Sequence, residues 1–218
     1  MICLVVALNS EAKSFLDVIE DKSLSLVAGK PLYTGKVANK KIALCISGIG
    51  KVNASIATQL LIDKFNPEYV INFGTAGGMN DSVEIMKYYL IDKCCQYDFD
   101  VSTLDNVPVG YIQDFDGIYF NCYKDDKFNL PYSSVSSGDR FNNDLNDIKT
   151  INDLGCSLRD MEGGAIGQVC TANDVKLIML KGVSDVFGAG TAQEQFIKNL
   201  NSVSHGFKDV IKNLIEKL

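Results

Sequence analysis

The sequence predicts an α/β fold in which a mainly parallel sheet carries helices on its faces. Short buried strands alternate with amphipathic helices, and the hydrophobic content of 46% in 218 residues is enough for a sizeable core. This alternation is typical of parallel sheets, which bind ligands at the carboxyl ends of their strands. The length favours one domain over residues 1–218.

The elements of the first half follow from apolar runs and helical spacing. In chain order they are a strand over 3–7, a helix over 10–20 with Ser10 as N-cap, a strand over 42–46, a helix over 53–65 with Ile56, Leu60 and Leu61 on one face, and a strand over 69–73. Residues 47–50 and 74–78 are predicted as glycine-bearing turns after the second and third strands.

The second half begins with residues 93–134, which are rich in Asp, Tyr and turn residues and are predicted to form strands and loops. A helix over 163–172, a strand over 176–181 and a long helix over 192–218 follow. The long helix has apolar residues at every third or fourth position, namely Phe196, Leu200, Val203, Phe207, Ile211 and Leu214.

Scarce arginine and histidine limit the chemistry. Arg140 and Arg159 are the only arginines and His205 is the only histidine, so a histidine triad would depend on His205 and an arginine clamp on phosphate has at most two members. We therefore expect carboxyl groups to carry out proton transfers. Three lie at a predicted strand end or helix start: Glu11, Glu162 and Asp185.

Charge and cysteine content exclude several classes. The net charge of −6 and scattered basic residues argue against nucleic-acid binding. The seven cysteines include no C-x-x-C pair, and with one histidine we expect neither a metal site nor a cofactor. Cysteines in apolar runs indicate a reducing cytoplasmic compartment. No signal peptide or membrane-spanning segment is predicted.

Each candidate segment has a structural and a functional interpretation. The glycines of 74–78 match neither a dinucleotide nor a Walker pattern, and they form either a plain turn or a close approach to a ligand. Glu162 either offsets a helix dipole or accepts hydrogen bonds from vicinal hydroxyls. Asp185 is either an N-cap or salt-bridge partner, or a catalytic group with a shifted pKa. Phe141 either belongs to the core or stacks on a flat base.

Taken together, the segments 6–11, 33–35, 47–54, 74–78, 137–141, 160–170 and 182–185 resemble the 5′-methylthioadenosine/S-adenosylhomocysteine nucleosidases, within the family of purine nucleoside phosphorylases and hydrolases. The resemblance implies a three-layer fold with a central mixed sheet flanked by helices. It also implies a cytoplasmic homodimer without cofactors that hydrolyses the N-glycosidic bond of adenine nucleosides in methionine salvage.

The same resemblance implies a role for each matching residue. Glu11 resembles the base that activates water, and Asp185 the acid that protonates N7 of the purine. Met161 and Glu162 resemble the ribose-binding pair, Phe141 the ring stacked on the base, and Asn142 the residue whose backbone meets the base edge. The implied pocket is completed by Ile49, Thr75, Ala76, Gly77 and Ser184, with Val101 and Leu104 reaching the partner subunit's pocket.

The chain departs from the family pattern at four places. Lys181 stands where arginine is usual, and Asp160 where glutamate is common. The segment 186–195 is shorter, and the aromatic expected over the 5′ group is replaced near Gln193. These departures put the preferred 5′ substituent in doubt, but not the glycosidic chemistry.

Two alternatives to hydrolysis remain. A phosphorylase of the same fold would need arginines after the first and third strands, where this chain has Asn9–Glu11 and then Met79 and Asn80. A non-catalytic nucleoside-binding protein would not need a general base, so the presence of all three carboxyl groups argues against it.

Overall fold

The computed structural model describes residues 1–218. Its elements are β1 Ile2–Val6, α1 Asn9–Leu16, β2 Glu20–Val27, β3 Lys30–Val37, β4 Lys40–Ile46, α2 Lys51–Phe65, β5 Tyr69–Gly78, β6 Tyr88–Gln96, α3 Ser102–Asp105, β7 Phe120–Asn121, β8 Tyr132–Ser137, α4 Leu145–Asp153, β9 Leu158–Asp160, α5 Gly163–Ala172, β10 Lys176–Val186 and α6 Ala192–Lys217.

The strands form one mixed sheet of ten strands in the order β10-β6-β8-β9-β5-β1-β4-β3-β2, with β7 paired to β6. An additional pairing between β10 and β5 closes five of these strands into a ring. Strand β1 lies between β4 and β5 and is parallel to both, whereas β2, β3 and β4 form an antiparallel meander. The carboxyl ends of β1, β5 and β10 therefore meet at one edge, where a ligand site is expected.

Apolar clusters on the two faces of the sheet confirm the three-layer α/β prediction. One cluster packs α2 and α5 on the sheet through Leu61 and Ile166. The other packs α1 and α6 on the opposite face through Phe15 and Phe207. All seven cysteines are free and buried, as predicted for reduced core cysteines. None of the helices combines the length and the apolar character of a membrane-spanning segment.

The predicted bounds of the first helix are wrong. Helix α1 begins at Asn9 and ends at Leu16, and its N-cap is Leu8 rather than Ser10. The backbone N–H of Leu8 donates to Glu11 Oε2 at 3.2 Å, so a side chain inside the helix closes its first turn. Residues from Glu20 onward are not helical. They form β2, the outermost strand of the sheet, which pairs with β3.

The predicted apolar face of α2 is also partly wrong. Ile56 is 42% exposed, while Ala54, Ala57 and Leu61 are buried. Small alanine side chains let the helix lie close to the sheet, so the larger Ile56 points away from the core.

The predicted turn at 74–78 does not exist, because these residues continue β5. They pair with β10 from Gly74 opposite Lys181 to Gly78 opposite Val186. A Cβ at Gly74 would lie 3.2 Å from Glu11 Oε1, and one at Gly77 would lie 2.7 Å from Asp185 Oδ2. The glycines thus leave room for two carboxyl groups.

The predicted end of the strand over 176–181 is too early. Strand β10 extends to Val186, so Ser184 and Asp185 lie inside the strand and not beyond its end. The pairing register with β5 shifts between Val183 and Asp185, which is the signature of a β-bulge. Bulges change the direction of side chains, and this one accompanies the carboxyl group that the sequence singled out.

Candidate active site

A cavity of about 490 Å³ opens at the edge where β1, β5 and β10 end. Of the eleven residues predicted for the pocket of their own subunit, ten line this cavity and only Asn142 does not: Glu11, Ile49, Thr75, Ala76, Gly77, Phe141, Met161, Glu162, Ser184 and Asp185. The fold therefore brings together carboxyl groups that are far apart in the sequence.

Glu11 is 3% exposed and is held by three hydrogen bonds. Its Oε1 accepts from the backbone N–H and the hydroxyl of Thr75, both at 2.7 Å, and its Oε2 accepts from the Leu8 N–H. Burial raises the pKa of Glu11, while the Thr75 hydrogen bonds and nearby Lys181 oppose that rise. This carboxyl group is fixed in position and binds a proton more readily than an exposed one.

Glu162 occupies the N-cap position of α5. Its Oε1 accepts from the backbone N–H of Gly50 at 2.9 Å, which leaves Oε2 without a protein partner. Burial and then the charge of Asp160 raise the pKa of Glu162 to about 7, against the opposing effect of Lys181. Oε2 is thus available to accept hydrogen bonds from a ligand.

The two departures at Lys181 and Asp160 form an ion pair. Lys181 Nζ lies 2.8 Å from Asp160 Oδ2, and both side chains are almost completely buried. Asp160 also accepts hydrogen bonds from the Ser137 hydroxyl and the Gly163 N–H. Burial disfavours the charged amine, but Asp160, Glu162 and Glu11 together outweigh it and raise the pKa of Lys181.

Asp185 is 3% exposed, and its Oδ1 accepts from the Ser184 hydroxyl at 2.7 Å. Burial raises the pKa of Asp185, opposed by the Ser184 hydrogen bond and the charge of Arg159. Its carboxyl group therefore retains a proton to higher pH than an exposed aspartate does.

Helix α6 holds the strand on both sides of Asp185. The side-chain amide of Gln195 accepts from the Val186 N–H at 3.1 Å and donates to the Val186 carbonyl at 3.0 Å. Asn199 donates to the Ser184 carbonyl at 2.9 Å. The backbone groups of both residues next to Asp185 are therefore hydrogen-bonded to side chains of one helix.

Two aromatic rings form the outer wall of the cavity. Phe141 is 50% exposed, and its ring lies 5.6 Å from that of Phe196 at an interplanar angle of 64°. The expectation that the aromatic near Gln193 is replaced stays a prediction, while Phe196, three residues further along, lines the cavity. Its helical spacing had indicated only a core position.

Arg159 is a cavity residue that the sequence did not single out. Its Nη2 donates to the Asn142 carbonyl at 2.6 Å and its Nη1 to Asn142 Oδ1 at 3.2 Å. Asn142 thus lies behind the cavity wall with its carbonyl engaged, whereas the resemblance had placed its backbone at the base edge. The sequence offered one signal for this residue: Arg159 is one of only two arginines and comes directly before the Asp160–Glu162 motif.

The structure contains no group of three or more His, Cys, Asp or Glu side chains arranged to hold a metal ion. Leu104, which is 80% exposed, and Val101 lie outside the cavity. They occupy a separate surface region around α3.

The family model of the phosphorylase superfamily matches residues 1–216 of the chain. This protein belongs to the phosphorylase superfamily. A 5′-methylthioadenosine/S-adenosylhomocysteine nucleosidase of Buchnera aphidicola is 32% identical over 227 residues, covering 99% of this chain and 97% of the relative.

Solved structures of other members agree in fold. A mutant of the Helicobacter pylori nucleosidase of that name, with 5′-methylthioadenosine in its active site, has a TM-score of 0.92 at 23% identity and covers 100% of this chain and 98% of its own. Futalosine hydrolase of the same organism has a TM-score of 0.90 at 23% identity, covering 100% and 97%. These likenesses show that the chain shares the fold of both enzymes.

Proposed function

We propose that the protein is a nucleosidase that hydrolyses the N-glycosidic bond of 5′-methylthioadenosine, S-adenosylhomocysteine or related adenine nucleosides to adenine and the thioribose. The observation that carries this proposal is the meeting of Glu11, Glu162 and Asp185 in one cavity, each held differently by its neighbours. The Buchnera relative, which bears this enzyme name, supports the same activity.

The chemistry follows from where charge develops. Breaking a glycosidic bond leaves positive charge on the sugar and negative charge on the departing base. Asp185, whose pKa is raised by burial, donates a proton to N7 of the purine. Glu162 accepts from the ribose hydroxyls with its unpaired Oε2, and Glu11 removes a proton from the attacking water. Thr75 sets the direction of Glu11 through two hydrogen bonds.

The remaining predicted residues complete the proposed nucleoside site. Phe141 stacks on the base, and Phe196 packs against it edge-on. Met161 and Ile49 contact the ribose and the 5′ substituent, while Ala76, Gly77 and Ser184 form the wall behind the base. The Asn142 backbone carbonyl is held by Arg159, and Asn142 acts by fixing the base loop.

The phosphorylase alternative lacks its anion site. Both arginines line the cavity, but Arg140 pairs with Asp147 at 2.9 Å and Arg159 binds Asn142. The buried amine of Lys181 is paired with Asp160. Each of these three cations is already held by a protein partner, and neither arginine stands at a phosphorylase position, which argues against a site for a phosphate dianion.

We further propose a single catalytic domain over residues 1–218 that works as a cytoplasmic homodimer in methionine salvage. Support for the dimer comes from apolar side chains exposed beside the cavity: Ile49 at 50%, Val52 at 71% and Ile56 at 42%. Light scattering of the wild type and of Val52→Glu measures the oligomeric state of each protein. A monomeric wild type would contradict it.

The decisive experiment measures turnover of 5′-methylthioadenosine in phosphate-free buffer and in millimolar phosphate, with Asp185→Asn as the inactive control. We expect equal rates and free 5-methylthioribose in both buffers. Accumulation of 5-methylthioribose-1-phosphate, or a rate that vanishes without phosphate, would overturn the nucleosidase assignment in favour of the phosphorylase.

A further inference from the structure

Arg159 is a buried cation with donors that the proposed mechanism leaves unused. Its side chain lines the cavity although the residue is only 5% exposed. A guanidinium carries five N–H donors, and the two bonds to Asn142 occupy two of them. The other three have no acceptor in the protein. An acceptor on a ligand in the cavity would complete the hydrogen bonds of these donors.

Arg159 and Asp185 lie on opposite sides of Gly77 in one row across the sheet. Gly77 of β5 pairs with Asp185 of β10 on one side and with Arg159 of β9 on the other. Directly opposed residues of paired strands project from the same face. Gly77 contributes no side chain, so a gap lies between the carboxyl group and the guanidinium. The outer strands of such a row are about 10 Å apart, which is wide enough for the edge of a flat ring.

The edge of a purine that carries N7 and the C6 substituent is the one that Asp185 must face in order to protonate N7. On this edge adenine presents the N7 acceptor and an amino donor, whereas a 6-oxopurine presents acceptors at both N7 and O6. Arginine is the usual donor to N7 and O6 of a 6-oxopurine. The carboxyl group of Asp185 can accept a hydrogen bond from the amino group, and the free N–H groups of Arg159 can donate hydrogen bonds to the oxo group.

The backbone of Asn142 also favours recognition of a 6-oxopurine. The family resemblance had suggested the Asn142 backbone at the base edge, and its carbonyl accepts from Arg159 at 2.6 Å. This side of the pocket therefore presents donors where a pocket restricted to adenine would need an acceptor.

We propose that Arg159 broadens the base specificity, so that the enzyme hydrolyses 6-oxopurine (hypoxanthine) nucleosides as well as adenine nucleosides. The proposal rests on the proposed nucleosidase function. The reaction is the same: water forms the new bond to C1′, the bond from C1′ to N9 breaks, and the proton from Asp185 ends on N7 of the departing hypoxanthine. Arg159 donates a hydrogen bond to O6 and transfers no proton.

The test compares kcat/KM for 5′-methylthioinosine and 5′-methylthioadenosine, which differ only at C6. We expect the wild type to cleave both, and Arg159→Met to lower the ratio of the 6-oxo to the 6-amino substrate about tenfold or more, the size expected for one charged hydrogen bond. The ratio is insensitive to the fraction of active enzyme in the preparation. Arg140→Met, which removes the other arginine of the cavity, should leave the ratio unchanged.

Arg159→Lys keeps a cationic donor and serves as the second variant if Arg159→Met does not fold; it should retain much of the wild-type ratio. A wild type that releases adenine but no hypoxanthine would overturn the inference and leave the proposed function intact. So would an equal loss on both substrates in Arg159→Met. If neither nucleoside is cleaved, the proposed function fails, and calorimetric binding of free hypoxanthine and adenine decides the inference: an unchanged preference in Arg159→Met overturns it.

Discussion

Lys181 Nζ lies 2.8 Å from Asp160 Oδ2 beneath the candidate active site, with both side chains almost completely buried. The charges of Glu162 and Glu11 also act on Lys181. One ammonium group therefore interacts with three carboxyl groups. The shorter aspartate and the lysine, each unusual for the family, meet in one contact, so the two departures are complementary.

Removing the lysine should leave buried negative charge without compensation. We expect Lys181→Met to lower the free energy of unfolding by about 3–5 kcal/mol, the range for breaking a buried ion pair. Lys176→Met is the matched control on the same strand, because Lys176 forms an exposed ion pair with Glu68. Urea denaturation measures both variants. A loss in Lys181→Met no larger than in the control would contradict the role of Lys181.

The raised pKa of Glu162, about 7, predicts pH-dependent ribose binding. Ionised Glu162 accepts from the ribose hydroxyls more strongly than the protonated form does, so affinity for a riboside should increase as the pH rises through about 7. A 2′-deoxyriboside should show less of this increase. Calorimetry with the inactive Asp185→Asn protein measures both ligands, and Glu162→Gln is the control that should flatten the profile. Parallel profiles for the two ligands would indicate that Glu162 does not bind the sugar.

The same pKa predicts how the unliganded protein responds to pH. The folded pKa of about 7 exceeds the unfolded value, so folded Glu162 retains a proton that the unfolded chain releases. The contribution of Glu162 to stability is fully present below the unfolded pKa of about 4.3 and is lost as the pH rises to about 7. In Glu162→Gln, urea denaturation should show a weaker decline over this window. An identical decline in both proteins would assign the effect to other groups.

Glu11→Gln should reduce kcat by about 10²-fold or more while KM changes only a few-fold, because the variant keeps the size of the side chain but loses the general base. The matched control is Glu194→Gln, since Glu194 occupies the first turn of α6 as Glu11 does in α1. Steady-state release of adenine measures both. Near-normal turnover in Glu11→Gln would remove Glu11 from the mechanism.

Asp185→Asn should abolish most of the cleavage of adenine nucleosides, because the amide cannot protonate N7. A nitrophenyl riboside, whose leaving group needs no protonation, should lose much less activity. The comparison of the two substrates on one protein preparation is its own control. Equal losses would show that Asp185 does not act as the acid.

Gln195 should matter through Asp185, because its amide bonds both the N–H and the carbonyl of Val186. We expect Gln195→Leu to lower kcat for adenine nucleosides about tenfold, the scale of losing one positioning contact, with less effect on the nitrophenyl riboside. Gln193→Leu, an exposed position on the same helix, is the control. A loss in Gln195→Leu that is equal for both substrates would indicate a merely structural role.

Elements with strong apolar patterns could be predicted from the sequence. The helix over 163–172 was correct to the residue, and α6 to within one residue at its end. Strand β2 was missed although serine and leucine alternate over 23–26, because all but its last residue are exposed and the alternation faces no core. Glycine suggested a turn at 74–78, but close approach of side chains, which a local pattern cannot show, requires glycine within the strand.

The candidate site was predictable where a residue matched a family motif. Glu11, Glu162 and Asp185 were singled out by their positions at predicted strand ends or helix starts and then matched family motifs, and the structure brings them into one cavity. Arg159 and Phe196 were missed because their role depends on which strand or helix lies next to them. The pairing of Arg159 with Gly77 joins residues distant in sequence, and only the folded sheet reveals it.

The space that Gly77 leaves beside Asp185 limits how this sequence can diverge. Any other residue would introduce at least one methyl group 2.7 Å from Asp185 Oδ2, between two side chains that are both buried. The smallest possible change at this position therefore disturbs the proposed acid before it disturbs the core. Among descendants of this chain, we expect a loss of Gly77 to coincide with a loss or relocation of the acid, so this one position can serve as a marker of whether the activity has been retained.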